Sequence, residues 1–398
     1  MNSSQFIGVR EKYGRKKFRT ALADYIRENK PPYPLPEIDY RKRLESFYKL
    51  QRADWRYYII ESGKEVMEKY DDYKYPYSKY GIGVIQAPPT FNYCSDSFMH
   101  DLRMNCGSYG YKAPIQRWND YDNLWGAFGP IFRGVNDTNE LNPKIYTMAF
   151  RLGCYIATQF KPIVAKTIYD MTKAKTVLDT SMGWGDRLTA FYASNATLYI
   201  GCDPNPNTFE RYWDMKKYWE EETDGKTIKI YNCGAEDLPW NEIENVDCAF
   251  TSPPYFSTER YNEGGDKEEL QSWAKFNEYE KWRDEFYLPV AQKSFESLSD
   301  NGVLMVNILD PKVKGKRYRS GDELVDSLKH SFIGQMGMRI MQRPQGKTVF
   351  SDNKGNFSKD KMDEFMKKVY IENIWCFAKD TSIDLLKDSR RGTLEDFL

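Results

Sequence analysis

From residue 176 onward, short runs of β-branched and aliphatic residues alternate with longer stretches whose apolar positions recur every three or four residues. The runs predict strands at Thr176–Asp179, Thr197–Asp203, Thr227–Asn232, Val246–Ser252, Gly302–Leu309, Met338–Gln342 and Ile371–Ala378. The stretches between them predict helices at Asp186–Ser194, Pro206–Glu221, Trp273–Leu298 and Asp322–Phe332, with a further helix over 145–172 in two pieces around Pro162. Strands alternating with helices predict an α/β fold, a mainly parallel sheet with helices on both faces. Ligands of such a sheet bind beyond the carboxyl ends of its strands, so those ends are where chemistry is sought.

The chain before residue 143 has a different pattern. Pro31, Pro32, Pro34 and Pro36 separate the cluster Arg15-Lys16-Lys17-Phe18-Arg19 from Arg41-Lys42-Arg43, which predicts two short helices around an extended linker. Residues 42–69 read as helical, with Leu44, Phe47, Tyr48 and Leu50 at apolar positions. A tyrosine-rich turn follows at 70–81, and 82–140 reads as helices and loops. The expected division is a mostly helical N-terminal domain over 1–142, an α/β domain over 143–380 and a tail over 381–398.

Composition narrows the function. The 398 residues suit two or three domains, and 58 Lys plus Arg balance 58 Asp plus Glu. That balance excludes a histone-like polycation, but residues 1–50 carry 12 basic against 6 acidic residues, so a local basic groove stays open. His100 and His330 are the only histidines, which almost excludes chemistry needing paired imidazoles. Seven cysteines without a Cys-x-x-Cys pair read as buried free thiols in a reducing compartment, and no metal is expected. No apolar run approaches the ~18 residues of a membrane span, and the N-terminus lacks the apolar core of a signal peptide. A cytoplasmic protein with no membrane partner is the expectation.

Three strand ends carry acids. Asp179 ends the first strand and leads into Thr180-Ser181-Met182-Gly183-Trp184-Gly185-Asp186, where Gly183 and Gly185 allow a tight turn and close approach to a ligand. Asp179 is suited to accept from a cationic amino-acid moiety. Asp203 ends the second strand, where a carboxylate would hold ribose hydroxyls. Glu236 and Asp237 follow the third and are suited to accept from an adenine amino group. A dinucleotide site would want glycine where Leu188 stands, so a nicotinamide cofactor is disfavoured. The fourth strand ends at Ser252-Pro253-Pro254-Tyr255, where two prolines remove two backbone donors, leaving outward carbonyl acceptors beside a flat ring.

With these residues the chain resembles the S-adenosylmethionine-dependent amino-methyltransferases of DNA, the adenine-N6 and cytosine-N4 enzymes. Ser252-Pro253-Pro254-Tyr255 resembles their motif, Asp179 to Gly185 their cofactor loop, and Phe160-Lys161-Pro162 the segment covering the cofactor. Ile371-Glu372-Asn373-Ile374-Trp375-Cys376-Phe377 resembles the closing strand of their fold, and the glycine turn has a virus- or phage-methylase-like form, which would put the protein in a host cytoplasm. The resemblance covers about 145–380, which makes 143–380 the expected methyltransferase domain with a Rossmann-like sheet, and leaves 1–142 to nucleic-acid binding or target recognition. It implies S-adenosylmethionine as cofactor and a DNA base, flipped out or single-stranded, as target. Ser252 and the carbonyl of Pro253 would hold the base amino group and Tyr255 would stack on the base. Ser at the first motif position is closer to the cytosine-N4 enzymes. Lys312, Lys314, Lys316, Arg317 and Arg319 would hold phosphates. The acidic segment Glu259–Glu269 is expected to be a mobile loop closing over the target. An RNA or protein-amide methyltransferase, or a degenerate nucleic-acid-binding protein of the same fold, are the alternatives.

Overall fold

The computed structural model describes residues 3–60, 65–129, 154–265, 267–341, 350 and 356–389. Its strands are β1 (Ile59–Ile60), β2 (Glu65–Met67), β3 (Gly81–Ile85), β4 (Thr176–Asp179), β5 (Leu198–Cys202), β6 (Thr227–Tyr231), β7 (Val246–Thr251), β8 (Leu298–Asn307), β9 (Lys312–Val313), β10 (Lys316–Arg317), β11 (Phe332–Arg339) and β12 (Lys368–Ala378). The main sheet runs β1-β3-β11-β12-β8-β7-β4-β5-β6, with β2 alongside the start of β12. Pairings β5–β6, β4–β5, β4–β7 and β7–β8 are parallel, whereas β12 is antiparallel to both β8 and β11. The segment β6-β5-β4-β7-β8 has the strand order of a doubly wound nucleotide-binding sheet, with its switch point between β4 and β7.

Both faces are covered. On one face pack the helices Pro162–Met171, Asp186–Ala193 and Pro206–Glu220, with Val177, Cys248 and Phe250 pointing up from the sheet. On the other pack Leu288–Glu296 and Ser320–Ser327 over Leu178, Ala249 and Leu304. Adjacent residues Val177 and Leu178 enter opposite cores, the period-two alternation of a strand buried on both sides.

The N-terminal region joins this architecture directly. Its helices Tyr40–Gln51 and Tyr93–Met104 pack on the first face, where Phe47 stacks on Trp219 at 4.1 Å and the buried Arg43 donates to Ser97 Oγ at 2.7 Å. The helices Arg15–Asn29 and Tyr40–Gln51 do flank a linker with no helix or strand. The expected helix over 42–69 stops at Gln51; Asp54 then caps a short 3-10 turn at Trp55–Tyr58, and the branched pair Ile59-Ile60 enters the sheet as β1. Strand β3, read as helix or loop, pairs parallel with β11. Its two glycines (Gly81, Gly83) hid a strand pattern.

Further differences have local causes. The strand placed at Met338–Gln342 is β11, Phe332–Arg339, and Phe332 leaves the helix assigned to it. Gly334, at a φ of 132°, makes a register shift, and a Cβ on Gly337 would meet Ile371 at 2.8 Å; both glycines interrupt the apolar pattern. The single helix expected over Trp273–Leu298 is broken into Ser272–Lys275, Tyr279–Trp282, a π-helical turn at Arg283–Tyr287 and Leu288–Glu296. Pro289 lacks the N–H an uninterrupted helix would use there. Pro162 opens its helix at the first turn rather than dividing a longer one. Residues 145–153 of that expectation and the 142/143 boundary lie outside the described residues.

Candidate active site

A cavity of about 1140 Å³ lies beyond the carboxyl ends of β4 to β8, at the switch point of the sheet. Single small-molecule sites commonly span ~300–1,000 Å³, so the cavity has room for two ligand parts. Its lining includes Phe160, Gly183, Asp203, Glu236, Ser252, Pro253, Pro254 and Tyr255. In the sequence these residues stand at separate strand ends, with Phe160 in the segment before the first strand, and the fold brings them to one space.

One wall is the turn after β4. Gly183 and Gly185 have φ of 57° and 73°, left-handed values that glycine adopts without steric cost, and a Cβ on Gly185 would meet Met215 Sδ at 2.6 Å. Gly185 shapes the turn and opens the helix Asp186–Ala193 but does not itself line the cavity. Asp203 accepts the Gly183 N–H at 2.9 Å, the Asn205 N–H at 2.9 Å and the Thr208 hydroxyl at 3.1 Å. Burial pushes its carboxyl up to about 6, against the pull of those hydrogen bonds. A carboxylate has roughly four lone-pair sites, so one remains for a ligand hydroxyl.

Asp179 differs from the expectation. It is fully buried, accepts from Arg187 Nε at 2.8 Å, the Tyr199 hydroxyl at 2.6 Å and the Ser181 N–H at 3.2 Å, and does not line the cavity. The ammonium partner assigned to it is therefore supplied from inside, by Arg187. A different acid faces the cavity nearby. Asp186 takes the Ser95 hydroxyl and the Gln159 amide on Oδ1, while its buried Oδ2 has no hydrogen-bond partner among the described residues. Burial pushes the Asp186 carboxyl up to about 6. Lys161, half-buried on the same lining, has its ammonium pushed down by burial, with Asp186 acting in the opposite direction. Farther along, Glu236 pairs with Lys275 at 2.5 Å through Oε1, and its buried Oε2 has no hydrogen-bond partner among the described residues. Asp237 also meets Lys275, at 3.2 Å, but is largely exposed and outside the lining.

The opposite wall is the turn after β7. Phe256, at a φ of 50°, donates its N–H to the Pro254 carbonyl at 2.8 Å and closes the turn. Among the described residues no hydrogen bond reaches the carbonyls of Ser252 or Pro253. The Tyr255 hydroxyl donates to Glu372 on β12 and lies 3.4 Å from both Ser252 Oγ and Asn307 Oδ1. Burial and the neighbouring carboxylate push the phenol well above its ordinary value. From the sequence alone no role falls to Glu372 or Asn307, although Glu372 and its neighbour Asn373 are polar residues in the middle of the mostly apolar strand β12.

The segment expected to cover the target forms part of the cavity wall through Glu259 and Tyr261. It is docked on the N-terminal region: Arg260 N–H meets Ser108 Oγ at 2.9 Å and Gly110 N–H meets Glu263 at 2.7 Å. Trp273 Nε1 donates to the Tyr261 carbonyl at 2.9 Å.

The basic residues do not converge on the cavity. Lys312, Lys314, Lys316 and Arg317 belong to the hairpin β9–β10, whose turn uses left-handed Lys314 and Gly315, and none of them or Arg319 lines the cavity. Arg317 donates to the buried Asp310 at 2.8 Å, pairs with Asp72 and lies 3.7 Å over the Tyr70 ring. Arg319 holds the Asp72 carbonyl at 2.7 Å and its carboxylate at 2.5 Å. Lys316 sits over Tyr318 and 3.9 Å from Glu280. Lys312, Lys314 and Lys316 are exposed. Among the described residues no helix is long and apolar enough to cross a membrane, and no group of three or more His, Cys, Asp or Glu is placed to hold a metal.

No protein-family model and no curated protein matches the chain. Solved structures do show a likeness. The methyltransferase subunit of a type I restriction-modification system from Streptococcus thermophilus is 16% identical, over 56% of this chain and 44% of that one, with a TM-score of 0.34. A SAM-dependent O-methyltransferase from Thermotoga maritima is 11% identical, over 60% and 69%, with a TM-score of 0.33. A spermidine synthase bound to a transition-state analogue is 13% identical, over 57% and 63%, with a TM-score of 0.34. The chain thus spans under half of the restriction-system subunit. These likenesses concern the fold and assign neither reaction nor substrate.

Proposed function

We propose that this protein methylates the exocyclic amino group of a base in DNA, with S-adenosylmethionine as donor and cytosine N4 as the first product to seek, ahead of adenine N6. One observation carries the reading: the glycine turn with Asp203 and the Ser-Pro-Pro-Tyr turn face each other across a single cavity at the switch point of the sheet. The donor would supply an electrophilic methyl on a sulfonium. Asp203 would take a ribose hydroxyl on its remaining lone pair, and Glu236 Oε2, without a partner among the described residues, would accept from the adenine amino group. Asp186 and Lys161, in place of Asp179, would hold the ammonium and carboxylate of the amino-acid end.

The chain's task on the other wall follows from the nucleophile. A base amino nitrogen is weak because its lone pair is delocalised into the ring. Two acceptors on its hydrogens favour a tetrahedral nitrogen, and the Ser252 hydroxyl and the Pro253 carbonyl are suited to that role because no donor among the described residues competes for the carbonyl. This is catalysis by positioning and preorganised polarity. The base must leave the duplex to reach such a recess. Tyr255 offers a flat wall whose orientation is fixed by Glu372. Lys312 and Lys314 are the phosphate contacts kept in this reading; Arg317 and Arg319 hold the hairpin to Asp72 and Asp310.

Incubation with methyl-tritiated donor and DNA, RNA or protein in parallel tests the reading. Label in DNA supports it. Label in RNA or protein alone moves the substrate to another class, and absence of donor binding in calorimetry ends the reading altogether.

A further inference from the structure

The methyl-transfer reading leaves one step without an owner. As the amino lone pair forms the N–C bond, the C–S bond breaks and its electrons stay on sulfur as a neutral thioether. The nitrogen is then cationic and must lose one proton. Ser252 cannot keep that proton, because a protonated hydroxyl is strongly acidic, and the proline carbonyl is no better.

We infer, on the basis of that reading, that Glu372 is the final acceptor of this proton, reached through Ser252 and Tyr255. The geometry is a directed chain. The Ser252 hydroxyl lies 3.4 Å from the Tyr255 hydroxyl, which donates to Glu372. All three side chains line the cavity, and Glu372 sits among apolar Met338 and Ile340 on that lining. The amino N–H gives its proton to Ser252 Oγ as Ser252 gives its own to Tyr255 and Tyr255 gives its own to the Glu372 carboxylate. Each hydroxyl ends as it began, Glu372 ends as a carboxylic acid, and it returns the proton to water after the product leaves. A 3.4 Å oxygen–oxygen separation is long for proton transfer, but such contacts tighten when substrate fills a site.

The surroundings suit an acceptor. Burial raises the Glu372 carboxyl above its usual range, which makes the carboxylate a stronger base. The hydrogen bonds of Tyr255 from the β7 turn and of Asn307 from the end of β8 pull it back, Glu259 raises it from the covering segment, and Lys69 lowers it. Glu259 is the rival acceptor on the same lining, but it already takes the Tyr261 and Thr158 hydroxyls.

The test compares wild type, Glu372→Gln, Glu372→Asp and Glu259→Gln as full chains, reading donor affinity, kcat and the pH dependence of kcat on DNA. In wild type kcat should fall with decreasing pH along an acid limb, and Glu259→Gln should keep that limb but move it to lower pH, because the charge that raises Glu372 is gone. Glu372→Gln should bind donor normally, lose about 100-fold in kcat and lose the limb, while Glu372→Asp should recover both in part. A residue that merely holds Tyr255 would be replaced adequately by glutamine, which still accepts the phenol proton. Glu372→Gln within about threefold of wild type with the limb intact would therefore overturn the inference while leaving the methyl-transfer reading standing. No product from a donor-binding wild type would overturn both.

Discussion

Two turns leave neighbouring strands of the sheet at the same edge, one after β7 and one after β8, and each carries side chains suited to a nucleotide. After β7, the prolines have no N–H to donate, and the carbonyls of Ser252 and Pro253 accept no bond among the described residues. After β8, the basic hairpin carries more charge, yet Arg317 and Arg319 are held by Asp72, Asp310 and Asp322. The same contrast separates Asp203 from Asp179. Asp179 ends β4 and Asp203 directly follows β5, but Asp203 lines the cavity, whereas Asp179 is enclosed by Arg187 and Tyr199. A polar group at a strand end is available to a ligand only when the fold leaves part of its hydrogen-bonding capacity open.

Substitutions on the two sides should separate accordingly. The largest effect is expected from Asp179→Ala, which strands a buried guanidinium: a loss of ~3–5 kcal/mol in denaturant-monitored stability, enough to unfold many domains. Tyr255→Ala should instead leave the fold and donor affinity nearly unchanged while lowering turnover by ~100-fold or more, read in the methyl-transfer assay. Equal damage to donor affinity by Tyr255→Ala would erase the division between the two walls. Asp203→Ala should weaken donor binding by ~1.5–3 kcal/mol in calorimetry, the range for hydrogen bonds to a charged group.

Acid should sharpen the contrast further. Asp186 and Asp203 titrate near 6 in the folded chain, so below about pH 6 both protonate and donor affinity should drop by up to about tenfold per pH unit and per group. Their values are raised from 3.8, so the free protein binds protons more readily folded than unfolded. Its stability contribution from these groups is present below about pH 4 and lost as pH rises through 6, opposite in sign to the donor affinity. Asp186→Asn should flatten both trends. The smallest effect belongs to the hairpin: Lys312→Ala or Lys314→Ala should each reduce the salt slope of DNA binding by about one. Arg319→Ala should leave that slope unchanged.

The doubly wound sheet was legible because β4, β5 and β7 are short, mostly apolar runs and β6 alternates, each bounded by turn residues, and acids or prolines after these strands marked where ligands approach. Strands β3 and β11 were not, since glycines at 81, 83, 334 and 337 replace the side chains that would carry the alternation. The role of an individual acid was not legible either. Asp179 and Asp203 look alike in sequence, and Arg187 decides between them only once the helix after Gly185 folds back over β4. Glu372 was in view inside Ile371–Phe377, but its meaning depends on Tyr255, 117 residues earlier in the chain. Asp186 likewise depends on Ser95 and Gln159 from segments with no shared pattern.

The central claim is that the two open walls serve one reaction, and mass spectrometry of nucleosides addresses it most directly. DNA treated with the protein and trideuteromethyl donor is digested to nucleosides and weighed. The expected result is a three-deuterium methyl on the exocyclic nitrogen of cytosine or adenine, absent with Tyr255→Ala. Donor bound at the Asp203 wall but no deuterated base would contradict the account.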